Sequence, residues 1–352
     1  MTPNPAPVEG LETEGTQREH VLLVIAVVTI RSERRAAIRE SWLSWADDRV
    51  VVRFFTEAPD VSNPATRVQA EEEAKALSEE AEQFKDLVFL DVGRGMNFGA
   101  KLVSAMKFLS SKYTFEFFLR LDDDYFLCLP RLLGELETFT NFTQQADMKN
   151  EGQHAPPRPL LYAGHRFCQV ERTRVDEAYM LLSSALVDRV LSTPCLMCSR
   201  LGGLTAGWWF TNGNILNPER DINWVHDSRL DHYGSWWKER GSDGVTRLPF
   251  HSPSDYYSLC SRYIAVHHSY PTQMKMLWGY MNCTEAILPE LGAEGDGAGS
   301  ILWRYADDHC GYTKAGVSDD AFYGNGAKAC EGFRGNGEKY CGAQGCIRKM
   351  RF

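Results

Sequence analysis

At 352 residues the chain is long enough for one large domain, or a domain with a smaller appendage, and can bury a sizeable core. Apolar residues at 43%, charged residues at 24% and aromatics at 12% exclude a mainly disordered, collagenous or coiled-coil chain. With 38 basic against 47 acidic residues the net charge is −9, which provides no polycationic surface for a nucleic-acid backbone, so nucleic acid is not an expected partner.

Residues 1–19 are rich in Pro, Glu, Thr and Gly and predict a flexible leader. Val21 to Thr29 is a continuous aliphatic and β-branched run, the pattern of a strand buried on both faces, and Ser32 to Trp45 has helical character. The run is far short of the roughly 18 to 20 residues that span a bilayer, and no signal-peptide cleavage pattern accompanies it. Membrane association is therefore expected only through an anchor not present in this chain.

Val50 to Thr56 predicts a second strand, and Gln69 to Lys85 a helix with Ala70, Ala74, Leu77, Ala81 and Phe84 at helical spacing. Leu87 to Val92 is a third strand, Gly99 to Lys112 a helix with Leu102, Met106 and Leu109 inward, and Phe115 to Leu121 a fourth strand. Strands alternating with helices imply a largely parallel twisted sheet with helices on both faces. Such α/β sheets bind ligands at the carboxyl ends of their strands. Asp122-Asp123-Asp124 sits where the apolar strand runs out.

Residues 141–159 predict a loop, and Leu160 to Ala163 a short strand. Leu201 to His251 is dense in Trp, Gly, Asp and His, as a site built from loops would be. Residues 289–300 predict a linker into a small cysteine-rich tail holding Cys310, Cys330, Cys341 and Cys346. The organisation expected is a leader over 1–19, a main domain over 20–288 and an extension over 289–352. Tail disulfides, together with the sequons at Asn141 and Asn282, point to an oxidising lumen, the Golgi or the endoplasmic reticulum. Cys195-Leu196-Met197-Cys198 has zinc-type spacing without a second ligand pair, which favours a distant disulfide partner or burial.

Three adjacent carboxylates repel one another unless a cation or hydrogen-bond donors compensate them, which suits Mg²⁺ or Mn²⁺. The stretch Phe115 to Phe126 around them resembles the aspartate signature of glycosyltransferase family 31, the inverting β-1,3-glycosyltransferases. Glu33 to Trp42, Asn97 to Lys101, Ala178 to Ser183 and Val266 to Met274 are similar to further motifs of that family, in its order.

The resemblance implies a GT-A type nucleotide-sugar-binding fold, with Asp124 and His267 on Mn²⁺, neighbouring His268 being the alternative to His267, and Asp122 and Asp123 supporting ribose or metal-bound water. It also implies UDP-galactose as donor, with UDP-N-acetylglucosamine the nearest competitor, and a glycan or glycoprotein as acceptor. Arg35, Arg39 and Lys101 are expected to add cationic contacts to the diphosphate, with Asn97 orienting. Inversion needs a base on the acceptor side, and the stretch His226 to His232 offers Asp227 first and Asp231 second. Trp208, Trp209, Phe210, Trp224, Trp236 and Trp237 either face an acceptor sugar or pack the core. A different outcome is a catalytically silent member that binds glycans.

Overall fold

The computed structural model describes residues 18–93, 95–149, 160–167, 173–194, 196–211, 222–227, 229–237, 239–240, 246–247, 253–282, 321, 325 and 328–330. Residues 1–17, the linker at 289–300, Cys195, Cys310, Cys341, Cys346 and the Cys283-Thr284 half of the second sequon lie outside these. So do the side chains of Phe142, Thr143 and Asn282, while Asn141 is exposed.

The chain opens with β1 (Glu19–Val28), α1 (Ser32–Arg39), β2 (Val50–Glu57), α2 (Arg67–Phe84), β3 (Leu87–Leu90), α3 (Phe98–Lys112) and β4 (Tyr113–Asp122). It continues through β5 (Phe126–Leu127), α4 (Leu129–Lys149), β6 (Leu160–Phe167), β7 (Arg174–Ser183), α5 (Ser184–Ser192), β8 (Met197–Cys198), α6 (Gly202–Thr211), β9 (Ile222–His226) and β10 (Leu230–Asp231). A short antiparallel pair, β11 (Glu239–Arg240) with β12 (Thr246–Arg247), precedes α7 (Pro253–Tyr257), α8 (Leu259–Arg262), β13 (Ala265–Val266), α9 (Pro271–Asn282) and β14 (Lys328–Ala329).

Seven strands form one sheet in the order β3-β2-β1-β4-β7-β6-β9. All neighbours run parallel except β4 with β7 and β7 with β6. Along β1, Leu23, Ile25 and Val27 join the core on one face while Val24 and Ala26 join the core on the other. The uninterrupted apolar run follows from this: each face needs apolar side chains, so no position is left for alternation. Each fully buried aliphatic side chain contributes about 1.5–3 kcal/mol relative to exposure.

Two expectations are corrected. The stretch from Ser32 to Trp45 is not one helix: α1 ends at Arg39 and a 3₁₀ turn, Trp42–Trp45, follows. The Ser41 hydroxyl donates to the Ala37 carbonyl at 2.6 Å at the break, and Trp42 is fully buried. Residues 141–149, expected as loop, extend α4, because Gln, Ala, Met and Lys are good helix formers and the first proline comes only at Pro156.

Connections from β1 through β2 to β3 step to one side, and the chain then crosses back to lay β4 on the other side of β1. The carboxyl ends of β1 and β4 therefore diverge into a crevice, with Val28 in register with Asp122. This is the position at which open α/β sheets bind ligands.

Candidate functional site

Asp122 closes β4, and Asp123 and Asp124 turn out of the sheet beside it. A second, small sheet in the order β10-β13-β5 brings a distant segment to the same place, with Phe126 paired to Val266. His267 follows β13 and lands on the aspartates, its Nε2 3.3 Å from Asp124 Oδ1. Asp122, Asp124 and His267 each offer a ligand atom, all within 4.8 Å of one another. Nδ1 of His267 lies 2.6 Å from the His232 carbonyl, which can only accept, so that nitrogen carries a proton and Nε2 is the one turned to the aspartates, where a bound ion would take the place of its proton. Two carboxylates and one imidazole suit a borderline-hard divalent ion such as Mn²⁺.

The three aspartates differ in their surroundings. Burial, together with Asp124 and Asp123 nearby, pushes Asp122 above the ordinary carboxylate range, although Arg120 Nη2 sits 2.7 Å from its Oδ1. Burial also raises Asp123, against the opposing pull of Arg34, whose Nη1 donates to Asp123 Oδ1 at 2.5 Å. Burial acts on Asp124 too, yet the hydrogen bond and charge of His267, with Arg34 behind them, hold it below the ordinary range. Burial lowers His267, and its pairing with Asp124 more than offsets this, so it lies above the ordinary imidazole value. The His267 ring stacks on Tyr125 with centroids 4.3 Å apart. In turn, the Trp42 indole donates to the Tyr125 carbonyl at 3.1 Å.

The cations differ from expectation. Arg35 and Arg39 do not face the aspartates: Arg35 pairs with Glu80, and Arg39 with Glu80 at 2.8 Å and Asp86 at 2.8–2.9 Å. Arg34, not among the expected site residues, reaches the site because successive helical residues point about 100° apart. It bridges Asp123 and Asp124, the latter at 3.6 Å, and its guanidinium lies 4.9 Å from the Tyr270 ring centroid. Lys101 is buried against Glu57 and donates to the Gly95 carbonyl at 2.9 Å, while Asn97 Nδ2 donates to the Gly93 carbonyl at 2.7 Å. Both therefore hold the loop that leads into α3.

Asp227 and Asp231 are both buried and engaged locally. Asp227 accepts from Arg229 Nε and Nη2, each at 2.8 Å, and Arg229 also pairs with Glu135. Asp231 accepts from the Ser235 hydroxyl and from the Ser235 and Trp236 amides at 2.7 Å. Their geometry is that of a buried ion pair and a loop cap. Trp208, Trp209, Phe210, Trp236 and Trp237 lie in the core, and Trp224 is half-buried against Tyr162, so core packing is the outcome for this cluster.

Sequence reasoning passed over the neighbours that do face the crevice. Because β7 runs antiparallel to β4, with Leu121 opposite Tyr179, the start of β7 lies beside the end of β4. Asp176 therefore sits at this rim. Its Oδ1 accepts the Ala178 amide at 2.7 Å, and its Oδ2 faces His232 Nε2 at 3.9 Å. His232 stacks on His165 at 4.1 Å, and Tyr233, 65% exposed, stands edge-on to both. Burial is the main reason His232 lies below the usual imidazole value. The signal in the sequence was the density of histidines between residues 226 and 268.

Residues 33–155 match the sequence model of a family described as galactosyltransferase, and over that span the resemblance is borne out. Among solved structures, a glycosyltransferase involved in the glycosylation of the major capsid of PBCV-1 is similar at 11% identity, over 75% of this chain and all of that one. Its TM-score of 0.23 lends no weight to an argument.

Proposed function

We propose that this protein is a metal-dependent inverting glycosyltransferase of GT-A type, which moves galactose from UDP-galactose to a glycan hydroxyl in a β-1,3 linkage. The observation that carries the reading is the convergence of Asp122, Asp124 and His267 at the crevice between β1 and β4, with the two aspartates inside the span that matches the galactosyltransferase family. Mn²⁺ held by these three would neutralise the growing charge of the nucleoside diphosphate leaving group. Arg34 supports the site from the side of α1, keeping Asp123 out of the ligand set and standing close enough to meet a phosphate oxygen.

A base must take the acceptor proton on the face opposite the leaving group. Asp227 and Asp231 hold loops, so we assign this role to Asp176, whose Oδ2 is turned toward the rim beside His232. The exposed ring of Tyr233 offers the acceptor sugar a flat face in place of the buried tryptophans. Two disulfides among the described residues support a lumenal compartment.

The test is thermal stabilisation and donor hydrolysis with UDP-galactose, UDP-N-acetylglucosamine and UDP-glucose, each with Mn²⁺ or EDTA. One Mn²⁺-dependent donor supports transfer and names the sugar. No response from folded protein to any of the three would overturn the reading in favour of a silent glycan-binding protein. Asp176→Asn should then abolish turnover while leaving UDP binding intact, whereas unchanged turnover in Asp176→Asn would return the base to Asp227 or Asp231.

A further inference from the structure

The ligands of the candidate metal site come from two segments far apart in the chain. Asp122 and Asp124 follow β4, and His267 follows β13. Their meeting depends on β5 and β13, which are only two residues long and pair through Phe126 with Val266 and Leu127 with Ala265. A two-stranded contact is marginally stable in water even when longer than this. One end of the pair is closed by the Ser269 amide, which donates to the Asp124 carbonyl at 2.8 Å. At the other end the Cys128 amide donates to the Ile264 carbonyl at 2.9 Å, and Cys128 is joined to Cys260 by a disulfide. Arg131, in the first turn of α4, donates to the Cys260 carbonyl at 2.9 Å and ties the same two segments again.

Cys128 comes four residues after Asp124, and Cys260 seven residues before His267. We propose that the Cys128–Cys260 disulfide is a positioning device for the divalent-ion site: it fixes β5 on β13 and so holds the Asp124 and His267 side chains within reach of one ion. The inference rests on the metal reading given above. Without the cross-link, the two segments are brought together across a long loop, at a cost in closure entropy that ion binding would have to cover. The seven-stranded sheet does not depend on β5 or β13, so the frame of the fold persists when the bond is absent.

A second disulfide, Cys198–Cys330, provides an internal control, because both bonds span a sequence separation of 132. It joins β8 to β14, on the face of the sheet that carries α3 and α6. The experiment is a calorimetric Mn²⁺ titration of the full chain, compared among wild type, C128A/C260A and C198A/C330A, with circular dichroism to establish folding. C128A/C260A is expected to bind Mn²⁺ about tenfold more weakly or worse, a loss of the size seen when groups that support metal ligands are removed, while C198A/C330A stays near wild type. A bond that only stabilised the fold would lower the melting temperature in both variants and leave affinity in the folded state untouched.

Equal Mn²⁺ affinity in wild type and C128A/C260A overturns the proposal. Should C128A/C260A not fold, folded wild type treated with a phosphine reductant serves instead, with alkylation and mass analysis identifying which bond has opened. There too, unchanged affinity after opening Cys128–Cys260 overturns it. Asp124→Asn separates the two layers: if wild type binds no Mn²⁺, or binds it equally well in Asp124→Asn, the metal reading itself fails and takes this inference with it.

Discussion

The two disulfides hold together regions built on different principles. Beside Cys128–Cys260 lie three strands of two residues each, carboxylates crowded against one another, and histidine rings stacked in sequence. Beside Cys198–Cys330 the Trp209 indole donates to the Met197 carbonyl at 2.6 Å, and α6, buried from Gly202 to Phe210, meets α3 through glycines. A cavity of about 240 Å³ lies between β3 and α3 on that side, lined by Leu90, Val103, Phe108 and Cys330 among others, away from the aspartates. Shape holds the second region, whereas the first arranges polar groups that repel one another and need something further to stay in place. A cross-link over so long a loop contributes roughly 4–5 kcal/mol to either through the unfolded chain. Only at the first can it also set the geometry of a site.

Breaking the polar region directly should have the largest effect. Under the proposed function, Asp124→Asn removes one metal ligand as well as the partner of His267, and turnover with Mn²⁺ and the preferred UDP-sugar is expected to fall at least about 10²-fold, a common cost for losing one key electrostatic contact. Its melting temperature without metal should also fall modestly, because the fold favours the ionised form of this carboxyl through His267 and Arg34 and the variant loses that charge. Steady-state kinetics and a thermal melt check both halves.

Next comes Glu177, on β7 between the two regions, where one carboxylate oxygen accepts the Gly203 amide at the start of α6. Burial drives its pKa up from 4.5 to about 7, against the attraction of Arg120. The folded state therefore keeps a proton that the unfolded chain releases, and wild-type stability should fall as pH rises from about 4.5 to about 7 and level off above. Glu177→Gln removes that slope. Urea unfolding at pH 8 should show the variant more stable than wild type by up to about 3 kcal/mol, and little different at pH 4.5. Parallel pH profiles in the two proteins would show that the Glu177 carboxyl is ionised in the fold and does not mark the border between the regions.

The parallel half of the sheet was legible because strands buried on both faces must be apolar throughout, and because aspartates at a strand end stand out against such a run. Side-chain direction was not legible. Arg34, Arg35 and Arg39 are the same residue type on one short helix, and only the setting of α1, packed on α9 with its arginines reaching the end of α2, decides that Arg34 meets the aspartates while the other two meet Glu80 and Asp86. Asp227 and Asp231 have the composition of a base, yet their partners, Arg229 and the amides at Ser235 and Trp236, are local groups whose geometry composition does not reveal. The tryptophans illustrate the same gap, since area alone puts such residues in cores as readily as in sugar sites. A stapled tail was expected from the crowding of its cysteines, and a distant disulfide partner was one of two outcomes for the Cys195–Cys198 pair, but that Cys198 meets Cys330 was not legible, because pairing depends on where β8 and β14 meet in space.

The smallest effect sharpens the comparison from the packed side. At Gly99 an added Cβ would lie 2.4 Å from Thr205 Oγ1 and 2.6 Å from the Ser199 carbonyl oxygen. Neither neighbour can swing aside: Thr205 Oγ1 donates to the Leu201 carbonyl at 2.8 Å and accepts the Ser199 amide at 2.8 Å, and the other contact is backbone. Gly99→Ala must therefore push α3 off α6, at about 1–3 kcal/mol, the usual cost of overpacking. Because this strain falls on helices held by shape, on the face opposite β5 and β13, Mn²⁺ affinity in the folded variant should match wild type. Urea unfolding and a Mn²⁺ titration on one preparation measure both quantities. A loss of affinity in step with stability would mean that the two regions move as one body and that the polar site draws its order from the whole sheet, not from its own cross-link.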